Sequence, residues 1–135
     1  MKRLLLPILF LCLGISVRAA TYYIDFSTGS DLNDGTTNTS PWKHQPYMQG
    51  WSGAYTHAAG DQLIFKGGVT WDSTCYPVTI TSGGSAGNND YYGVDMTWFT
   101  GKSWTRPIFN GSYAATSGTN FFFVGTTNFI TFDAL

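Results

Sequence analysis

Beyond residue 20 the apolar residues come in short bursts, and nearly every burst is closed by turn-forming residues. Tyr22 to Asp25, Gln62 to Lys66, Val78 to Thr81, Pro107 to Asn110, Phe121 to Val124 and Phe129 to Phe132 all have this form. No stretch sustains the 3.6-residue spacing of an amphipathic helix. Short apolar runs bounded by Gly, Asn, Asp, Ser and Pro read as strands, so the chain is expected to be all-β. The runs "LIF" and "FFFV" are continuous rather than alternating, as in strands covered on both faces. "GGSAGNND" and "TSGTN" are loop sequence. Short strands on loops of variable length fit a sandwich, or a solenoid in which each coil buries its inner side chains against the next.

The first residues are of another kind. Lys2 and Arg3 precede an apolar run from Leu4 to Val17, and small residues follow at Ala19 and Ala20. This is the layout of a secretory signal peptide over residues 1–19, with Val17 and Ala19 at the two small-residue positions before the cut. The run is shorter than the roughly 20 apolar residues that cross a bilayer, so no membrane span is expected after its removal. A core helix at the N-terminus is the alternative, and bulky Leu11 argues against a lipid anchor on Cys12. The expected location is secreted or at the cell surface, extracellular or periplasmic.

Leader removal changes the charge. The whole chain carries seven Lys and Arg against eight Asp and Glu. Lys2, Arg3 and Arg18 belong to the leader, which leaves four basic residues against eight acids and a formal net charge of −4. Every acid is Asp. Such a chain offers no basic stripe to nucleic acid. Cys75 is the one cysteine beyond the leader, which excludes an internal disulfide. Its place in "DSTCYPVTI" suits a buried thiol, the alternative being a reactive or intermolecular one.

Several stretches in order carry a family resemblance: "YYIDFSTGSDLNDGTTNTSPWKH", "AGDQLIFKGGVTW", "PVTITSGGSAGNNDYYG", "TRPIFNGS" and "NFITFDAL". Together they resemble the opening of secreted right-handed parallel β-helix proteins of the pectate-lyase-like superfamily, from Tyr22 to Leu135. The resemblance implies an N-terminal capping segment over residues 20–61 and the first, incomplete coils of a β-helix over 62–135, a truncated N-terminal fragment. Tyr22, Tyr23, Phe26 and Trp42 would then cover the open top of the first coil. "HQPYMQGWSGAYTHA" is longer and more aromatic than such a connection requires, and reads as an insertion or a capping helix.

The resemblance further implies a parent that binds or degrades extracellular polysaccharide, as a lyase or a glycoside hydrolase, with calcium among the cofactors open to it. The catalytic coils would be missing here, so no catalytic residue is expected in this chain. A non-catalytic adhesive β-helix at the cell surface, or a complete small glycan-binding β-domain, are the alternatives. All three have a polysaccharide or glycan surface as partner.

The residues themselves offer three kinds of chemistry. Asp31, Asn33 and Asp34 in "DLNDG" could ligate calcium, but the spacing departs from the EF-hand loop and no Glu closes it, so a turn is the simpler reading. Asp61 and Asp72 could form an acid–base pair, and Lys66, Lys102 and Arg106 could meet a uronate. A strand-opening turn explains Asp61 and solvated strand ends explain the three cations more simply. The aromatics are the most suggestive. Trp51, Trp71, Tyr91, Tyr92, Trp98 and Trp104 sit in polar, Gly-rich sequence, where ring faces can hold sugars or can pack under loops.

Overall fold

The structure, a computed structural model, describes residues 18–112 and 122–135. The expected signal peptide lies, up to residue 17, outside the described residues, as do Phe121 and the "TSGTN" loop. Six of the apolar bursts become strands within a residue or two of their expected ends. These are β1 (Thr21–Ile24), β2 (Gln62–Gly67), β4 (Val78–Ile80), β6 (Ile108–Phe109), β7 (Phe122–Val124) and β8 (Ile130–Phe132). Two more appear: β3 (Thr70–Trp71) and β5 (Asp90–Phe99). A single 3₁₀ turn at Ser73–Cys75, capped by the Asp72 carboxylate on the Thr74 amide, is the only helical piece among the described residues. The chain is all-β.

All ladder pairings are parallel. One sheet has the order β1-β2-β5-β8, and two smaller ones pair β3 with β6 and β4 with β7. The chain therefore passes through the same three sheets in the same order twice, as β2-β3-β4 and β5-β6-β7, and returns to the first with β8. Register is set by the side chains. Tyr22, Leu63, Tyr92 and Phe132 stand in one line across the large sheet, and Ile24, Phe65 and Val94 in another. Leu63, Phe65 and Tyr92 are fully buried on its inner face. Between the three sheets they meet Trp71, Cys75, Val78 and Ile80, all without exposure. Aromatic contacts link the sheets: Phe65 lies 5.4 Å from Trp71, Trp71 stacks on Phe109 at 5.3 Å, and Phe109 meets Phe122 edge-on at 5.7 Å.

Trp42 covers the outer edge of β1. Its backbone bridges Ile24 in parallel, donating to the Tyr23 carbonyl and accepting from the Asp25 amide. Its ring stacks on Tyr22 at 4.4 Å, meets Trp51 at 4.9 Å, and donates Nε1–H to the Asn33 carbonyl. Gly35 passes so close over that ring, with φ +69°, that a Cβ would strike the indole. Phe26 packs, partly buried, against the core. Tyr23 does not: it stands on the outer face of the large sheet. No helix forms over residues 44–58, because turns and side-chain bonds hold that stretch. The capping-helix reading is thereby corrected.

The opposite end of the stack is different. Phe109, Phe122, Val124, Phe132 and Leu135 line an apolar cleft of about 230 Å³ at the free edges of β6, β7 and β8. Phe129 and Phe132 remain nearly half exposed there.

Replacing Trp42 by alanine removes a buried indole that seals β1 and is expected to cost about 3–5 kcal/mol. The midpoint of urea unfolding reads that loss. An unchanged midpoint would show that the edge of β1 is not sealed by this ring.

Candidate functional site

Alternation along a strand sends neighbouring side chains to opposite faces. With Leu63 and Phe65 inward, Ile64 and Lys66 must face out, and register places Tyr23 beside Ile64 and Ile64 beside Gly93. The outer face of the large sheet thus carries an aromatic row. Tyr23 meets Trp98 edge-on at 5.3 Å. Tyr91 folds its ring over Gly93, whose notional Cβ would collide with it. Its phenol donates to Asp133 Oδ2 at 3.0 Å. Beneath these rings Ile64 is only 7% exposed, while Tyr23, Tyr91 and Trp98 each keep part of their surface in solvent. The row runs from β1 across β2 to β5, two interstrand steps or roughly 10 Å.

One ion pair braces this face. Lys66 Nζ lies 2.7 Å from Asp25 Oδ2 and 5.5 Å from the centre of the Trp98 ring. Asp25 is fully buried and also accepts from the Ser27 amide and hydroxyl and the Thr28 hydroxyl. Burial alone would raise its pKa. The bonds from Lys66, Ser27 and Thr28 outweigh that and hold it at about 2. Lys66 is therefore a paired, largely covered cation, not the solvated strand end expected from sequence. Lys102 and Arg106 are exposed.

Of the six stacking candidates, the structure brings Tyr91 and Trp98 together on this face. Trp51 lies elsewhere, beside Trp42 and over Gly53. Trp104 packs by Gly67 at the far end of β2, its Nε1–H buried and unpartnered. Trp71 and Tyr92 are corrections. Both lie in strands with at most 1% exposure, in the core, and present no face to a ligand. Tyr23, Lys66, Asp25 and Asp133 were not singled out for this face. Aligning "YYID" with "LIFK" would have found the first three, since that alignment sets Asp25 opposite Lys66.

The remaining polar groups are committed to structure. Asp31 accepts from the Lys43 and His44 amides, the His44 ring at 2.8 Å, and the Ser52 amide and hydroxyl. Asn33 donates to the Pro41 carbonyl and Asp34 accepts from the Thr36 amide. The carboxylates of Asp31 and Asp34 thus serve turns, and Asn33 does so through its amide nitrogen. Asp31, His44 and Ser52 are the residue types of a nucleophilic triad, but the hydroxyl bonds to Asp31 and not to the imidazole. Nothing there removes its proton. Asp61 is fully buried, whereas Asp72 is exposed and caps the 3₁₀ turn, so the two do not flank a common cleft. Burial pushes the Cys75 thiol up to about 11 and leaves it unreactive. No candidate membrane-spanning helix exists among the described residues.

The depressed Asp25 pKa makes stability acid-sensitive. Its ordinary value is about 3.9, so the pair's contribution is complete above about pH 5 and is lost as pH falls toward 2. Allowing for screening near the surface, about 1–2 kcal/mol disappears over that window. Urea midpoints from pH 6 to pH 2 should show the decline, and Asp25→Asn should flatten it. Parallel curves for the two proteins would assign acid loss to other carboxylates.

No protein-family model and no curated protein matches the chain. Among solved structures it is similar to the GH136 lacto-N-biosidase from Eubacterium ramulus. The selenomethionine derivative aligns with a TM-score of 0.46 and 21% identity, over 62% of this chain and 12% of that one. The native protein aligns with a TM-score of 0.43 and 22% identity, over 61% and 12%. The chain thus spans about an eighth of the length of the protein it matches.

Proposed function

We propose that this chain forms the capped first turns of a secreted right-handed parallel β-solenoid, and that the complete protein binds or degrades extracellular polysaccharide. The solenoid reading is supported by the recurring order of three parallel sheets, sealed at β1 by Trp42 and open at β6, β7 and β8. The glycan reading rests on one observation, the partly exposed row of Tyr23, Trp98 and Tyr91 across the outer face of the large sheet. Flat rings on a rigid parallel sheet suit the apolar faces of sugars, and the neighbouring Asp133 and Tyr91 hydroxyl supply polar edges.

Within the described residues the row serves binding and not bond cleavage. No paired carboxylates, and no base next to a nucleophile, stand beside it. Lyase or hydrolase chemistry in this reading belongs to further coils, and an adhesive role needs none.

The test is binding of the secreted chain to a panel of neutral and acidic oligosaccharides by calorimetry. For the glycan that binds, Trp98→Ala and Tyr91→Ala should each weaken binding about tenfold, close to 1.4 kcal/mol. Trp51→Ala, away from the row, should leave it unchanged. Binding that ignores both row substitutions, or no binding across the panel, refutes the glycan reading.

A further inference from the structure

Asp61 is a buried carboxylate in search of a cation. It has no exposure and opens β2. Its oxygens accept from the Tyr55 hydroxyl at 2.7 Å, the Ala58 amide at 2.9 Å and the Ala20 backbone nitrogen at 2.8 Å. All three donors are neutral. Removing an ionised carboxylate from water without a counter-ion is costly even when it is well hydrogen-bonded.

The surrounding groups do not supply the charge. Asp90 sits one strand over and is itself buried. His57 is bonded to Asp90 at 2.8 Å, and Lys66 to Asp25. The phenols of Tyr22, Tyr47, Tyr55 and Tyr92 face the cluster and stay neutral, their pKa values raised above all by burial, to which the nearby acids add. No ion pair reaches Asp61 among the described residues.

The sequence contains a way to supply it. Val17 and Ala19 are the small residues of a leader cleavage site, and Arg18 and Ala19 are exposed just before β1. We propose that the chain is cut between Ala19 and Ala20, and that the freed α-ammonium group of Ala20 becomes the counter-ion of Asp61. A leader-removing peptidase adds water across that peptide bond. Ala19 departs with a new carboxylate, and the amine left on Ala20 takes up a proton. The nitrogen is already in place, because the Ala20 carbonyl stays fixed by the Gln62 amide at 2.8 Å. A neutral amide donor becomes a charged one without movement of the strand, and such bonds are roughly twice as strong. Processing then fastens β1 to β2.

This inference rests on the leader reading of residues 1–19 and is independent of any glycan. Its sign is definite. Pairing raises the α-ammonium pKa above its ordinary 7.7–8.0, so the contribution is complete below about pH 7.7 and is lost as pH rises through the raised value.

The experiment is N-terminal sequencing of the secreted product, followed by titration of its α-amino group by NMR. Sequencing should begin at Ala20, and the amine should titrate at least about one unit high, returning to its ordinary value in Asp61→Asn. If that variant fails to fold, amine acylation of the unaltered protein decides. It should run at least about tenfold slower in the native than in the urea-unfolded state. A product beginning at another residue, an amine titrating in its ordinary range, or equal acylation rates would each overturn the proposal.

Discussion

Parallel register is the constraint on which the rest of this structure depends. A parallel strand bonds to neighbours on both edges, and its partners must arrive from distant sequence. Here β1, β2, β5 and β8 stack so that Tyr22, Leu63, Tyr92 and Phe132 fall in line. A one-residue slip would turn that line outward and bring the other face in. The inner face then buries its apolar column, and the outer face can be spent on Tyr23, Tyr91 and Trp98. The site proposed for ligands is a by-product of the register that makes the core.

The carboxylates follow the same logic. Asp25, Asp61 and Asp90 are all buried at strand ends, and each gathers backbone amides that the ladders leave over. Both histidines of the chain also pair with a buried Asp, His44 with Asp31 and His57 with Asp90. The loop between them has little regular structure, and these pairs fasten it at its two ends. An acidic composition without Glu suits this work, since the short Asp side chain reaches amides two or three residues away.

Much of the fold was legible because apolar bursts and turn residues alternate so plainly. Six strands were readable from their composition alone. The longest, β5, was not. "DYYGVDMTWF" has Gly93 and Asp95 in its interior, which argue locally against a strand. Gly93 is needed because Tyr91 lies over it, a reason visible only in three dimensions. Tyr92 is hidden for the same reason, since only the pairing shows that it occupies the inward position that Leu63 holds one strand earlier. Trp71 is illegible for a related cause: a strand of two residues has no pattern to read. The pairing of Asp25 with Lys66, 41 residues apart, was hidden because it depends on register and not on proximity in sequence.

The two ends of the stack differ in kind. At β1 the tryptophan and its loop passivate the edge, as a surface layer stops a crystal face from growing. At the other end the cleft lined by Phe109, Phe122, Val124 and Phe132 leaves apolar side chains open. The described sheets therefore have a polarity, with a ring laid over one edge and bare apolar side chains at the other.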